Sequence, residues 1–409
     1  MKGFFGAFRV LRGQPGGVMA IIFVAGLGFG AIQLALPLFL TAIGTAPASI
    51  GIVLSMFGVG MIVFEFGWGW LADRFGVQIP LIVSRFGMAA AMAGFALNRS
   101  LLGLAVAYLL CAGFMVAGGP LGRAFLGVYL PREQRGVALG FHGAAMTLGS
   151  AIGALGGGLL ASRFGLTSVF MVAPVFPLLA GLIGVYVFRG NYKTRLTSLG
   201  TESDRARSAA TARFTYFVPV LVISTVVLLM FFGFQGERSF LPILVAVKLD
   251  LPAVYSGATL SFLGIATGLL MVPFGRLSDS LGRKPTILLG LAISVVGLVA
   301  YGLASTFAVV LVAAAVRAVG TAMMWPAATA LLADTTPRAR QGLVMAIYGE
   351  FENVGAMVGP ILAGYAWGLA GISAAFYSVA VFVALGGIAA AIFIRENRWR
   401  AAAGVAVAA

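Results

Sequence analysis

The chain is short of almost everything that soluble chemistry uses. A single cysteine, Cys111, excludes an intramolecular disulfide, and a single histidine, His142, leaves no Cys/His cluster to hold a metal. No GxxxxGK[ST] phrase is present to cradle a nucleotide, which leaves an ion gradient or the substrate's own gradient as the energy source. No cofactor and no metal are therefore expected. Charged residues make up only 10% of 409, against about 25% in soluble domains. What fills the sequence instead is apolar: 61% hydrophobic residues and a mean hydropathy of +1.05.

Such a composition belongs in a lipid bilayer. Each crossing needs roughly 20 apolar residues, so this length holds about twelve. Reading the apolar runs places them at 18–42, 50–72, 79–98, 101–129, 137–162, 167–188, 215–247, 254–276, 285–304, 306–332, 341–369 and 372–394, numbered spans 1 to 12 in chain order. The one long polar passage, rich in Ser, Thr and Arg, divides them six and six. The expected organisation is an N-terminal bundle over 1–190, a cytoplasmic linker over 191–213 and a C-terminal bundle over 214–409. Connections elsewhere are a few residues long, so neighbouring helices form antiparallel hairpins.

Acids are scarce as well, 12 against 27 lysines and arginines, giving a net charge of +15. The positions of the charges argue against a nucleic-acid partner. Arg74, Arg132, Arg135, Arg189, Arg276, Arg283, Lys284, Arg338, Arg340 and Arg395 fall on one side of the spans, with the linker and both chain ends; only Arg99, Arg163 and Lys248 fall on the other. This asymmetry follows the positive-inside rule and predicts a multi-pass protein of the cell (inner) membrane with both termini cytoplasmic. The stretch Met1–Arg12 is short, basic and amphipathic. The apolar run after it is too long for a signal-peptide core and no convincing cleavage site follows, so span 1 is expected to be retained.

The chain also says nearly the same thing twice. Gly69-Trp70-Leu71-Ala72-Asp73-Arg74-Phe75-Gly76 returns 206 residues later as Gly275-Arg276-Leu277-Ser278-Asp279-Ser280-Leu281-Gly282. Gly51/Gly257, Gly58/Gly264, Pro120/Pro326, Pro131/Pro337, Gly149/Gly355, Gly153/Gly359 and Gly158/Gly364 keep the same offset, and Pro37/Pro242 and Pro80/Pro285 slip by one. A fixed register of the residues that punctuate backbone geometry means two copies of one fold. A duplicated hydrophobic architecture of this size points to secondary transport.

The phrase Gly-x-Leu-Ala/Ser-Asp-x-x-Gly between spans 2 and 3, repeated between spans 8 and 9, resembles motif A of the major facilitator superfamily, and the resemblance extends over essentially the whole chain. It implies an all-α membrane protein of twelve transmembrane helices in two six-helix bundles related by pseudo-two-fold symmetry. It also implies that Gly69, Asp73, Arg74 and Gly76, with Gly275, Asp279, Gly282 and Arg283, gate the cytoplasmic side, Asp73 latching near Gly342 at the start of span 11. The first copy departs from the family, with Val77-Gln78 where the second keeps the basic pair Arg283-Lys284; Arg135 or Arg123 is the candidate replacement. Span 5, with Gly140, Gly149, Gly153, Gly157 and Gly158, resembles motif C of the family's drug/proton antiporter branch, although Ala154 takes the usual proline place. The other reading of these glycines is plain helix packing. Arg317-Ala318-Val319-Gly320 in span 10 loosely echoes motif B, whose arginine normally lies in span 4, where this chain has Cys111.

Ionisable residues inside spans are costly, about 2.5 to 3.5 kcal/mol each at a helix centre, and so mark function or internal pairing. The deep set is Glu237, Arg238, Arg317 and Glu350, the candidates for proton coupling. Glu352 shares the packing face of Gly355 and Gly359, whereas Glu350 lies about 200° around the helix and is the one expected to face cargo. Glu237 with Arg317 reads either as a structural ion pair or as a switch in which protonation releases the arginine. Burial disfavours the charged form of a carboxylic acid, which suits that switch. Glu65 and Arg123 read as a structural ion pair, with a proton or substrate role as the other reading. Arg85 is expected to pair locally or reach the cytoplasmic interface, and His142 to be a helix-end or interface residue. Gln33, Gln235, Met324 and Trp325 are the candidates for contact with substrate.

The sequence therefore predicts an alternating-access carrier, not an enzyme, that exports a small amphipathic compound in exchange for protons. Its expected partners are that substrate, protons and the bilayer, and it is expected to be a monomer. An uptake symporter or facilitator for a small metabolite is the alternative within the class. A non-transporting sensor or assembly factor on the same scaffold is the alternative outside it.

Overall fold

The computed structural model describes residues 13–189, 217–337 and 340–395, with the backbone alone for Arg132 and Glu133. The expected linker over 191–213, the stretch Met1–Arg12 and Arg338 lie outside the described residues. Within them the chain is helical from end to end, and the twelve spans appear where the apolar runs place them. Spans 1 to 3 are Gln14–Ala42, Pro47–Phe75 and Gln78–Leu97; span 5 is Arg132–Phe164. Span 7 is Phe217–Ile243, continued by a π turn at Leu244–Lys248, and spans 8 to 12 are Ala253–Leu281, Arg283–Leu303, Phe307–Thr335, Gln341–Ala370 and Ile372–Phe393.

Spans 4 and 6 are each made of two helices, Leu101–Val116 with Gly118–Tyr129 and Leu166–Val172 with Val175–Val187. The break in span 4 falls beside Pro120, which has no N–H to offer the Val116 carbonyl. Eleven spans are long and apolar enough to cross a membrane. The one below that measure is span 11, whose first half carries Gln341, Glu350, Glu352 and Asn353.

The duplication recurs in backbone geometry. Left-handed φ angles occur at Gly44 (75°) and Asp250 (53°), at Gly76 (81°) and Gly282 (96°), and at Gly165 (82°) and Gly371 (83°). Each pair is 206 residues apart. Asp250 is the one non-glycine among them, and aspartate tolerates this region because its short polar side chain can bond locally. Ser100 caps span 4 by accepting from the Gly103 amide at 3.1 Å, and Thr306, 206 residues on, caps span 10 by accepting from Val309 at 3.4 Å.

By contact the chain forms two compact units. Among the described residues, one takes 13–45, 56–189 and 245–264; the other takes 46–55, 217–244 and 265–395. In the first, span 1 packs on spans 5 and 6, and span 3 on spans 4 and 6; in the second, span 7 packs on spans 11 and 12, and span 9 on spans 10 and 12. The pairing scheme is the same in both.

Glycines make the tightest of these contacts. Along span 5, Gly149, Gly153 and Gly157 lie directly against the span 1 backbone at Phe23, Leu27 and Ala31. Along span 11, Gly355 and Gly359 lie against Leu228, Phe231 and Phe232 of span 7. Gly158 meets Ala253 and Val254, whereas Gly140 faces open space. Of the five span 5 glycines singled out from sequence, four therefore serve close packing in this structure and Gly140 does not.

A Cβ at Gly153 would strike the Leu27 carbonyl, which is backbone and cannot give way. Gly153→Val is expected to destabilise the protein by about 1–3 kcal/mol or more, and Gly140→Val by less than about 0.5 kcal/mol. Thermal unfolding of the detergent-solubilised variants measures the contrast; equal melting temperatures would contradict this packing account.

Candidate functional site

The best-sealed polar group in the second unit joins spans 7, 9 and 10. Arg317 Nε lies 2.9 Å from Glu237 Oε2, with side-chain exposures of 0% and 2%. Arg317 Nη1 donates to Ser294 Oγ at 2.9 Å and to Thr321 Oγ1 at 2.7 Å. Two glycines make room for the guanidinium: a Cβ at Gly297 would stand 3.1 Å from the Arg317 amide, and one at Gly233 would stand 3.9 Å from Nη2. Tyr301 is fully buried beside Glu237. The sequence analysis named Glu237 and Arg317 but passed over Ser294, Gly297 and Tyr301. Their spacing, i, i+3 and i+7, is the signal that puts all three on one face of span 9.

The pair does not exhaust its own hydrogen-bonding capacity. Arg317 Nη2 and Arg238 Nε are buried without a hydrogen-bond partner, while the Tyr301 hydroxyl lies within reach of the Glu237 carboxylate. Two opposite charges in low dielectric hold one another strongly, but only while both are charged. A carboxyl that takes up a proton here gives up its claim on Arg317, while Ser294 and Thr321 keep the guanidinium in place. Chemically, the arrangement can hold or pass one proton and report the change through one arginine.

The other candidates are distributed around it. Arg238 stacks over the Phe234 ring at 4.5 Å. Trp325 is half-buried and donates its indole N–H to Glu352 Oε1 at 2.9 Å. Glu352, read from helix phase as a packing residue, thus meets the very tryptophan expected near substrate. Glu350 is half-buried on the same helix. Gln235 and Gln33 are buried, in spans 7 and 1. Met324 is wholly enclosed, packed on Gly290 of span 9.

The two copies of motif A differ as their sequences do. In the second, Arg283 pairs with Asp279 and, at 3.5 Å, with Asp334, while its Nη1 donates to Ser278 Oγ at 3.1 Å. Lys284 Nζ donates to the Ala391 and Ile394 carbonyls at 2.7 and 2.8 Å, closing the end of span 12. The first copy has no such basic pair. Asp73 is exposed, and Arg74 lies over the rings of Trp70 and Phe75 at 5.6 and 5.4 Å. Arg135 donates to the Leu130 carbonyl at 3.0 Å, capping span 4. Gly69, Gly275 and Gly342 face open space, and Gly76 and Gly282 supply the left-handed turns.

Two further polar groups gather at the break in span 4. Arg85 of span 3 is 2% exposed; it donates to the Phe114 carbonyl at 2.9 Å and to Ser84 Oγ at 3.1 Å. His142, also buried, sits 3.2 Å from the Gly118 carbonyl. Both serve the loose helix ends there: Arg85 bonds locally, and His142, well inside span 5, is an interface residue and not a helix-end one. Glu65 is half-buried and Arg123 exposed, the latter within electrostatic reach of His142.

Comparison with known proteins bears on all of these features. The sequence model of the Major Facilitator Superfamily matches residues 18–271 and again 258–403. An uncharacterised MFS-type transporter of Methanocaldococcus jannaschii is 24% identical over 377 residues, covering 90% of this chain and 94% of its own. The multidrug resistance protein MdtG of Klebsiella pneumoniae is 26% identical, covering 90% and 88%, and that of Salmonella schwarzengrund is 28% identical, covering 90% of each. Among solved structures, a bacterial homologue of the human lysosomal transporter Spinster superposes with a TM-score of 0.76 at 15% identity, over 95% of this chain and 97% of that one. A POT family peptide transporter superposes with a TM-score of 0.77 at 18% identity, over 94% and 96%. With its twelve helical spans, its duplicated motif A and a family match that covers both halves, the chain belongs to the Major Facilitator Superfamily, a family of membrane transporters.

Proposed function

We propose that this transporter exports a small amphipathic compound in exchange for protons, with Glu237 as the proton-coupling residue. The observation that carries this reading is the sealed ion pair between Glu237 and Arg317. The reading gains support from the relatives named as multidrug resistance proteins. In the coupled cycle Glu237 is protonated and released from Arg317, then deprotonates and recaptures it, while residues 1–190 move against residues 214–409 in alternating access. Glu350 is the second proton-coupling candidate, and the exposed Asp73 the candidate cytoplasmic latch. The protein works as a monomer in the inner membrane with both termini cytoplasmic.

Coupling is tested in proteoliposomes carrying a pH gradient, with ethidium and Nile red as a cationic and a neutral probe. Glu237→Gln is expected to abolish accumulation against a gradient while probe exchange across the membrane continues. If both Glu237→Gln and Glu350→Gln accumulate probe as the unmodified protein does, proton antiport through these acids is wrong.

A second measurement separates coupling from structural support. Arg317→Met leaves Glu237 buried without its counter-charge and is expected to cost about 3–5 kcal/mol of stability. Adding Glu237→Gln should restore most of that loss in thermal unfolding without restoring gradient-driven transport. A double variant no more stable than Arg317→Met would mean that the two side chains do not depend on one another.

A further inference from the structure

The first unit gathers positive charge at the break in span 4, which proton coupling does not use. Three glycines of that span each lie against one base: Arg85 from span 3, Arg123 on span 4 itself and His142 from span 5. A Cβ at Gly118 would stand 3.4 Å from Arg85 Nη2, one at Gly119 would stand 3.8 Å from Arg123 Nη1, and one at Gly122 would strike the His142 ring. Arg85 and His142 are buried, and Arg123 is exposed. Among the described residues neither arginine forms an ion pair. Arg85 is held by neutral groups, the Phe114 and Met115 carbonyls, Ser84 Oγ and Met88 Sδ, which orient its charge without cancelling it. The charge within electrostatic reach of His142 is that of Arg123.

The duplication shows what this cluster replaces. At the 206-residue offset Gly119 corresponds to Trp325, Arg123 to Thr329 and His142 to Tyr348. In the second half Thr329 and Tyr348 share a hydrogen bond at 3.3 Å, so two neutral hydroxyls occupy the positions that two bases occupy in the first. Asp334, Glu350 and Glu352 give way in turn to Val128, Ala144 and Met146. The first half therefore has bases where the second has hydroxyls, and apolar side chains where the second has acids. Helix packing alone needs no such exchange of sign. Two guanidiniums set beside neighbouring residues repel one another, and a charge inside a span is costly unless an opposite charge meets it.

We infer that the break in span 4 is a subsite for an anionic group of the cargo, a carboxylate, sulfonate or phosphate on an apolar body, with Arg123 as its contact. Glycine at 119, in place of a tryptophan, leaves room beside the exposed Arg123 fork, and a guanidinium binds two oxygens of such a group side by side. Arg85, sealed behind Gly118, is a positioning residue: its fixed charge favours an anion at Arg123 without touching it. This inference rests on the reading of the protein as an exporter of small amphipathic compounds and adds the charge class of the cargo.

The test is equilibrium binding of labelled naphthalenesulfonate to the full chain in phosphatidylcholine nanodiscs with no gradient applied, against empty nanodiscs. The uncharged isostere naphthalenesulfonamide is expected to compete at least about tenfold less well than the unlabelled sulfonate. Arg123→Gln, at an exposed position, is expected to weaken sulfonate binding at least about tenfold, and Arg123→Lys to recover part of the loss. Arg85→Met should narrow the preference for sulfonate over sulfonamide while Arg85→Lys keeps it, a change of ratio that a merely structural role would not produce. An anionic lipid headgroup carries the same chemistry, and nanodiscs with phosphatidylglycerol added distinguish the two sources. With cargo as the occupant, the added lipid lowers sulfonate affinity by the same factor in the unmodified protein and in Arg123→Gln. A larger factor in the unmodified protein means that lipid holds the site, which overturns the assignment to cargo. The inference is equally overturned if the sulfonate does not bind the unmodified protein, if the sulfonamide competes as well as the sulfonate, or if Arg123→Gln binds with unchanged affinity. Because no gradient is present, the outcome is independent of Glu237. Lost coupling with intact sulfonate binding overturns the proton reading alone, and intact coupling without sulfonate binding overturns the subsite alone.

Discussion

Close approach of helix backbones, glycine against carbonyl, is the contact on which both units depend. In a bilayer the lipid is as apolar as a leucine, so burying apolar side chains between helices gains little; what holds them is dispersion at short range, and that needs small residues. Gly149, Gly153 and Gly157 bring span 5 onto the span 1 backbone, and Gly355 and Gly359 do the same for span 11 on span 7. The second of these seams places Glu237. Glu237 lies on the helix that Gly355 and Gly359 hold, and a Cβ at Gly236 would stand 3.3 Å from the Gly359 carbonyl. A looser seam would leave room for water or lipid headgroups around an ion pair whose strength depends on their exclusion.

That seam was legible in the sequence because glycine spacing is a one-dimensional signal with a direct three-dimensional meaning. The same holds for the spans themselves, whose apolar runs exceed the length of a bilayer crossing, and for the turns of motif A, where only glycine sits easily at φ near 81° and 96°. The N-caps Ser100 and Thr306 and the left-handed pair Gly44 and Asp250 keep the same register. They escaped notice because a search for repeated glycine and proline passes over a serine that became a threonine or a glycine that became an aspartate. The caps are equivalent in hydrogen bonding while differing in letter.

Side-chain partners were much less legible. Helix phase set Glu350 and Glu352 apart in angle, yet it could not say that Trp325 from another helix would turn its indole N–H to Glu352. Nor could it say that Ser294 of span 9 would meet Arg317, whereas Thr321, four residues on in the same helix, follows from spacing alone. The cross-helix partners, Trp325 for Glu352 and Ser294 for Arg317, meet through helix rotation and rise that no spacing within one span encodes. Asp73 and Asp279 make the point from the other side: nearly identical phrases surround them and both are exposed, but only the second is followed by a basic pair, whose Arg283 ties to Asp279.

The departures from symmetry are themselves paired. Arg85, at the slipped register kept by Pro80/Pro285, corresponds to Gly290; Gly118, at the main register, corresponds to Met324. In the first unit the large Arg85 side chain lies against Gly118, its Nη2 3.4 Å from where a Cβ would be; in the second the large Met324 lies against Gly290, at 2.9 Å. One contact is thus filled from opposite sides in the two halves. The exchange has an electrostatic consequence. Arg85 is held by carbonyls at the break in span 4, which carry no proton to exchange, whereas Arg317, standing where the first half has Cys111, is held by a carboxylate. A proton can loosen only the second of these. Of the two arginines buried among the described residues, Arg317 is the one that ion exchange can switch, and proton coupling in the proposed cycle falls to the second half on physical grounds independent of any motif.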